Sequence, residues 1–294
     1  MMSKSVKLNI LVAFPYFSQQ VYRFLMDKDP STFRLIVDSG AFTAWNTGKH
    51  ISMEDYCKFL KTIPSHWEYK AVQLDVYGNP EQTYTNYLRM LDAGYTDVMP
   101  VFTRGDTIER LEEFYSYTDY IMFGGIAIGG ENKNYVKWFC EVNKGRHAHW
   151  LGFVNIPFIK HYKPYSVDSS SAYSAQRFGN LQYYVGAGQL KTINRVDCAR
   201  RPPEKAINYL LKSGFTMKEI LMLQNQDAWV GGAQPPNSNP KGLASFITVT
   251  NHLRRAIDIE NNLGTKVYLA FGNESQLQNV YDSLQLMKER KVIK

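Results

Sequence analysis

The sequence predicts an α/β fold, specifically a (β/α)8 barrel of the TIM type, from three observations. Short apolar runs recur along the chain, amphipathic stretches separate them, and acids or glycines stand where the runs end. Strands covered on both faces read as nearly continuous apolar runs, and their alternation with helices marks a parallel sheet. At 294 residues the chain is long enough for one large α/β domain.

The elements follow in order. "LNILVAF" (8–14) reads as the first strand. The lysines before it mimic a secretory leader, but the apolar stretch is short, holds Pro15 and lacks a small-residue cleavage site. "RLIVDSG" (34–40), "AVQLDVYG" (71–78), "DVMPVF" (97–102), "YIMFGGIAIGG" (120–130), "WLGFVNIPF" (150–158) and "YSVDSS" (165–170) continue the series, with "LQYYVGAG" (181–188) as the eighth strand. "SMEDYCKFLKTI", "PEQTYTNYLRMLDAG" and "TIERLEEFYSYT" read as helices between them. Ser52 with Asp55, and Asp106 with Glu109, resemble N-caps followed by an acid.

Beyond residue 190 the pattern changes. "DCARRPPEKAINYLLKSG" is a basic loop leading into a helix, "MKEILMLQNQDAWV" is helical or strand-like, and "GGAQPPNSNPKG" is a loop. "LASFITVTNHLRRAIDIENNLG" is a long helix closed by Gly264, and "SQLQNVYDSLQLMKERK" is another. The expectation is one domain over 1–294 with an inserted loop and helix segment at about 195–242, the last helices completing the barrel.

Composition narrows the function classes. A 44% hydrophobic chain can build a large core, and a net charge of +7 permits a polyanionic partner without demanding one. The 20 Tyr, 16 Phe and 5 Trp supply stacking faces suited to a core or to nucleobases. Cys57, Cys140 and Cys198 are scattered, so neither a disulfide framework nor a zinc site is encoded, and a reduced, cytoplasmic setting is expected. No apolar run is long enough to span a bilayer, so no membrane partner is expected.

Catalytic groups of such barrels sit at the C-terminal strand ends. Asp38, Asp75, the glycines at 124–125 and Asp168 all fall there. Asp38, with Gly40 allowing close backbone approach, either caps the next turn or, walled by Phe42 or Trp45, has its pKa raised by desolvation and shuttles protons near neutrality. Asp75 in "QLDVYGNP" is either a loop acid before a helix near Pro80 or an acceptor for the N–H edge of a guanine-like ring. "FGGIAIGG" lacks the dinucleotide glycine spacing and a following Lys-Ser/Thr, but as a strand end it can expose backbone N–H groups to a flat ligand. Asp168 either caps a helix or is a nucleophile at an anomeric carbon, with a second carboxyl supplying the proton. There is no G-x-S-x-G elbow, and the six scattered histidines read as surface or core residues.

Taken in order, "DSGAF" (38–42), "QLD" (73–75), "PVFTRGD" (100–106), "GGIAIGG" (124–130), "VDSSSAY" (167–173) and, more weakly, "NHLRRAIDIENNLG" (251–264) resemble the guanine transglycosylase superfamily, which includes the queuine tRNA-ribosyltransferases. The resemblance implies a barrel enzyme that exchanges a guanine base for a 7-deazaguanine through a covalent glycosyl-aspartate. It implies Asp168 as nucleophile and Asp38 as acid/base. Asp75 would read the base edge, Gly124, Gly125 and Ile126 would hold the base, and Phe42 and Leu151 would sandwich it. Arg104 stands where the family has glutamine, next to the base's carbonyl or 7-substituent. The family's C-x-C-x-x-C zinc cluster is missing. The shorter chain is more similar to the phage and bacterial DNA-modifying (DpdA-like) branch, which implies guanine in DNA as target and a base such as 7-cyano-7-deazaguanine as replacement. No zinc, other metal or redox cofactor is expected. tRNA is the alternative substrate, and a non-catalytic nucleic-acid-binding paralogue is the alternative class; an oligomer is compatible with either. The target base must leave the stack, which aromatic faces can offset. Arg200, Arg201, Lys205, Arg254 and Arg255 are candidate phosphate contacts.

Overall fold

A computed structural model describes residues 6–126, 132–173, 179–237 and 239–293. The first apolar run forms β1 (Leu8–Ala13), buried at all its positions, as a strand covered on both faces must be. β2 (Phe33–Asp38), β3 (Tyr69–Val72), β4 (Val98–Met99), β5 (Val101–Phe102), β6 (Tyr120–Phe123), β7 (His147–Trp150) and β8 (Ser166–Ser169) follow. Between them lie α1 (Gln19–Met26), α2 (Ala41–Thr47), α3 (Met53–Leu60), α4 (Pro80–Asp92), α5 (Ile108–Tyr117), α6 (Lys133–Asn143) and α7 (Ile156–Tyr162). The remaining elements are the strands β9 (Asn180–Gly186), β10 (Gln189–Asn194) and β11 (Lys266–Phe271), and the helices α8 (Arg195–Cys198), α9 (Glu204–Lys212), α10 (Met217–Leu221), α11 (Leu243–Leu263) and α12 (Glu274–Glu289).

The main sheet runs β4-β3-β2-β1-β11-β8-β7-β6-β5. Its two ends are successive pieces of one strand. Met99 pairs with Val72 on β3, Val101 pairs with Met122 on β6, and Pro100 lies between. Proline has no N–H to give a ladder, so it fits where the strand changes partner; its carbonyl still accepts from Met122 N at 2.8 Å. The sheet therefore closes as an eight-position parallel barrel wrapped by helices, the fold the sequence predicts.

Several boundaries differ from expectation. The barrel's last strand is β11, between β8 and β1, and not residues 181–188. Those residues fall in β9, which makes an antiparallel hairpin with β10 because Ala187 and Gly188 both adopt positive φ, the geometry of a tight hairpin turn. "KVYLAF", lodged between two long helices, is short enough to be read as a loop between them, yet this strand, rather than the terminal helices, completes the barrel. In "WLGFVNIPF" only Trp150 is strand; Asn155 caps α7 by accepting from Phe158 N, and Pro157 sits in the first turn. Ser52 caps α3 as expected, whereas α5 is capped by Thr107; Asp106 accepts instead from Thr103 N.

Contacts divide the chain into two compact units. The barrel comprises residues 9–169 and 265–272; the other is chiefly residues 170–264 and 273–294. In the latter, α11 is closed by Gly264 at φ +76. One face of it meets the β9–β10 hairpin over a core that includes Leu181, Ile193, Leu210, Phe215, Phe246 and Ile247. Among the described residues, no helix is long and apolar enough to cross a membrane.

Tyr56 of α3 ties the barrel together near the site. It is fully buried, and its hydroxyl reaches Val72 O at 2.7 Å and Val37 O at 3.3 Å, carbonyls at or next to the C-terminal ends of two neighbouring strands. Tyr56→Phe leaves both carbonyls without that donor and is expected to cost about 1–2 kcal/mol. Urea unfolding at an unchanged m-value measures it.

Candidate functional site

One buried cluster joins Leu11, Ile36, Val72, Met99, Val101, Tyr120, Met122 and Tyr268, drawn from strands all round the barrel. Side chains from so many strands can meet only inside a closed sheet, so these positions define its inward face. Strand side chains alternate, and two steps along this face lead to the polar groups. Ile36 is followed inward by Asp38, the last residue of β2. On the neighbouring strands β7 and β8, His149 pairs in register with Ser166, and Asp168 lies two residues on. Gly124, Leu151 and Arg104 come just after β6, β7 and β5, and Asp75 shortly after β3. Every predicted site residue is therefore at the C-terminal end of the barrel.

Asp38 is held by its own turn. Its Oδ2 accepts from Gly40 N at 2.9 Å. Gly40 has φ +85, and a Cβ there would lie 2.4 Å from Pro15 Cδ, so this position requires glycine for both conformation and space. Ser39 is fully buried and donates to Asp75 Oδ1 at 2.6 Å, which ties the two strand ends together. Burial, then the charge of Asp75, and then that of Asp168, against the Gly40 N–H bond, push the Asp38 carboxyl up to about 7. Asp75 is raised as well, by burial against the bond from Ser39. The three acids thus share one electrostatic neighbourhood, and an acid poised near neutrality is the form expected of a proton carrier.

Asp168 is 8% exposed. Its Oδ1 receives Gly152 N at 2.7 Å and His149 Nε2 at 3.1 Å. Behind it, His149 Nδ1 meets Ser166 Oγ at 2.6 Å, and Ser166 Oγ meets Tyr120 Oη at 2.6 Å. His149, Ser166 and Tyr120 escape a reading by sequence motif, because histidines spread along the chain look unconnected. The available signal was the inward alternation itself, with 149 beside 166 and 168 across adjacent strands.

The other predicted residues fall into two groups. Gly124 lies against Leu151, since a Cβ on it would come within 3.4 Å of Leu151 Cδ1. Gly125, at φ +71, lies against Thr103 and Arg104, and Ile126 is buried. The Arg104 guanidinium stacks 5.0 Å from the Tyr135 ring centroid, and its buried Nη2 has no hydrogen-bond partner among the described residues. Phe42, 52% exposed, packs with Trp45, 58% exposed, and with Tyr77, forming an aromatic shelf beside the turns of Asp38 and Asp75. The rest of the glycine motif (127–131) and residues 174–178 of the Asp168 motif lie outside the described residues. Of the candidate phosphate contacts, Arg254 bonds Ser213 and Arg255 bonds Gly188 O, so both are engaged internally; Arg200, Arg201 and Lys205 are exposed. Among the described residues no three His, Cys, Asp or Glu side chains are grouped so as to hold a metal ion.

Comparisons with family models, with curated proteins and with solved structures return no match to this chain.

Ionising Asp38 in its burial has a stability consequence with a definite sign. The folded state keeps this proton to about pH 7, whereas the unfolded chain loses it near 3.8. The stabilisation is complete below about 3.8 and is lost as pH rises through 7. Asp38→Asn cannot ionise. It is expected to be more stable than the parent at pH 8, by about 1–4 kcal/mol, and to differ little at pH 4. Urea titrations at the two pH values check this, and an equal difference at both would contradict it.

Proposed function

We propose that this protein is a base-exchange transglycosylase that replaces guanine in DNA with a 7-deazaguanine, using Asp168 as nucleophile and Asp38 as acid/base. One observation carries the reading. Two inward carboxyls at the same barrel mouth have different environments: Asp38 holds its proton to about neutrality, while among the described residues the donors to Asp168 both sit on Oδ1 and none on Oδ2. Pairs of acids set apart in this way divide the roles of proton donor and nucleophile.

In the proposed reaction, Asp168 Oδ2 bonds to C1′ of the extruded nucleoside. The glycosidic bond breaks, its electron pair leaves with guanine, and Asp38 supplies the proton. Asp38, now a carboxylate, takes the proton from the incoming base, whose nitrogen re-forms the bond to C1′ as the ester to Asp168 breaks. Two displacements keep the sugar's configuration, and every proton is returned. Asp75, with one oxygen tied to Ser39, would offer the other to the N–H edge of the base. Gly124, Gly125 and Ile126 would line the base, and Leu151 and Phe42 would supply apolar faces. DNA is preferred to tRNA on the resemblance of the motifs to the DNA-modifying branch and on the absence of the C-x-C-x-x-C zinc cluster.

Purified protein given labelled guanine with duplex DNA or with tRNA tests the reading. Label is expected in DNA; incorporation into tRNA alone would reject the DNA assignment. Asp168→Asn is expected to lower incorporation by about 10³-fold or more. Because the first step needs protonated Asp38, kcat/KM for the nucleic acid should fall tenfold per pH unit above about 7. A flat profile from pH 6 to 9 would remove Asp38 from the acid role.

A further inference from the structure

The hydrogen bonds behind Asp168 have a direction that follows from which groups can donate. A carboxylate only accepts, so the contact at 3.1 Å puts a proton on His149 Nε2. In the neutral ring Nδ1 is then bare and must accept, and its partner at 2.6 Å is the Ser166 hydroxyl. That hydroxyl has spent its one proton, so the 2.6 Å contact with Tyr120 is one in which the phenol donates. Burial holds the Tyr120 phenol well above its ordinary 10, so its proton is present. The order is Tyr120 O–H to Ser166, Ser166 O–H to His149, His149 N–H to Asp168.

We propose that His149 is a positioning residue for Asp168: fixed as the Nε2–H tautomer by Ser166 and Tyr120, it occupies Oδ1 together with Gly152 N–H and leaves Oδ2 as the oxygen that attacks. The inference rests on the reading of Asp168 as nucleophile and adds which oxygen acts and what selects it. A serine, a histidine and an aspartate in a row invite comparison with hydrolase triads, but burial decides otherwise. Ser166 and His149 are both 0% exposed, and the serine hydroxyl is enclosed between His149 and Tyr120. The partly open member is the aspartate, so the row points toward the carboxylate. When Oδ2 bonds to C1′, Oδ1 becomes the ester carbonyl and keeps both donors. When the C1′–Oδ2 bond breaks, the returning electron pair spreads onto an oxygen whose two hydrogen bonds are already in place, so no reorganisation is needed. The three supporting side chains come from β6, β7 and β8, so the carboxylate is aimed by rigid strands, with the turn just after β7 adding the Gly152 N–H.

The tautomer can be read without any activity, from the ¹⁵N shifts of His149 in the full chain labelled at histidine and assigned by comparison with His149→Gln. A protonated Nε2 with a bare Nδ1 is expected at pH 7.5. A proton on Nδ1, or on both nitrogens, overturns the relay. In the guanine-exchange assay, His149→Leu should lower kcat by about 10- to 100-fold with KM unchanged. His149→Gln, which can still present an N–H to Oδ1, should recover most of that loss. Parent-like kcat in His149→Leu, or no recovery with Gln in a variant that unfolds like the parent, overturns the positioning role while leaving base exchange by Asp168 intact. Undiminished exchange in Asp168→Asn would overturn the nucleophile itself and the positioning role with it, whatever the tautomer.

Discussion

Closure of the sheet is the constraint on which the molecule depends. An open parallel sheet has two edges and two covered faces, whereas this one turns its ends into successive pieces of a single strand, joined at Pro100. With both edges consumed, alternate side chains have no choice but to face one enclosed interior. Most of that interior is filled by Ile36, Val72, Met99, Val101, Met122 and the rings of Tyr120 and Tyr268. Polar groups tolerated there must satisfy one another, which is why Tyr120, Ser166, His149 and Asp168 bond in series and not singly.

The same enclosure shapes the electrostatics. Asp38 lies where solvation is poor and two further carboxyls are near, so keeping its proton is cheaper than ionising. Gly40 and Ser39 limit that shift by donating to Asp38 and Asp75. The balance leaves a carboxyl titrating near 7 through burial and neighbouring carboxyls, set against the Gly40 N–H. An arginine at this point would have made Asp38 a permanent anion; a fully apolar wall with no donor would have made it a permanent acid.

The sequence made the barrel legible because apolar strand runs and helix caps act locally. It also made the three acids legible, since a carboxylate closing an apolar run conflicts with burial and demands an explanation. Three things stayed hidden for physical reasons. β11 is six residues between two long helices, and nothing local separates a short closing strand from a linker until its neighbours β1 and β8 are known. Residues 181–186 have strand chemistry and are strand, but whether a strand joins a barrel or folds back as a hairpin is decided by the turn at Ala187–Gly188. The partners of Asp168 are separated from it by up to 48 positions and meet only through strand pairing, which leaves no motif in the chain.

Strand pairing also guards the chemistry against error. Val167, next to Asp168, is completely buried on the other side of the strand. Were β8 to seat one position out of step, the barrel would present a valine to its mouth and turn a carboxylate toward the surrounding helices, away from the His149 and Gly152 donors it has in register. A misassembled copy would therefore be unstable as well as lacking the carboxylate at its mouth, so faulty folding and a wrongly arranged site go together.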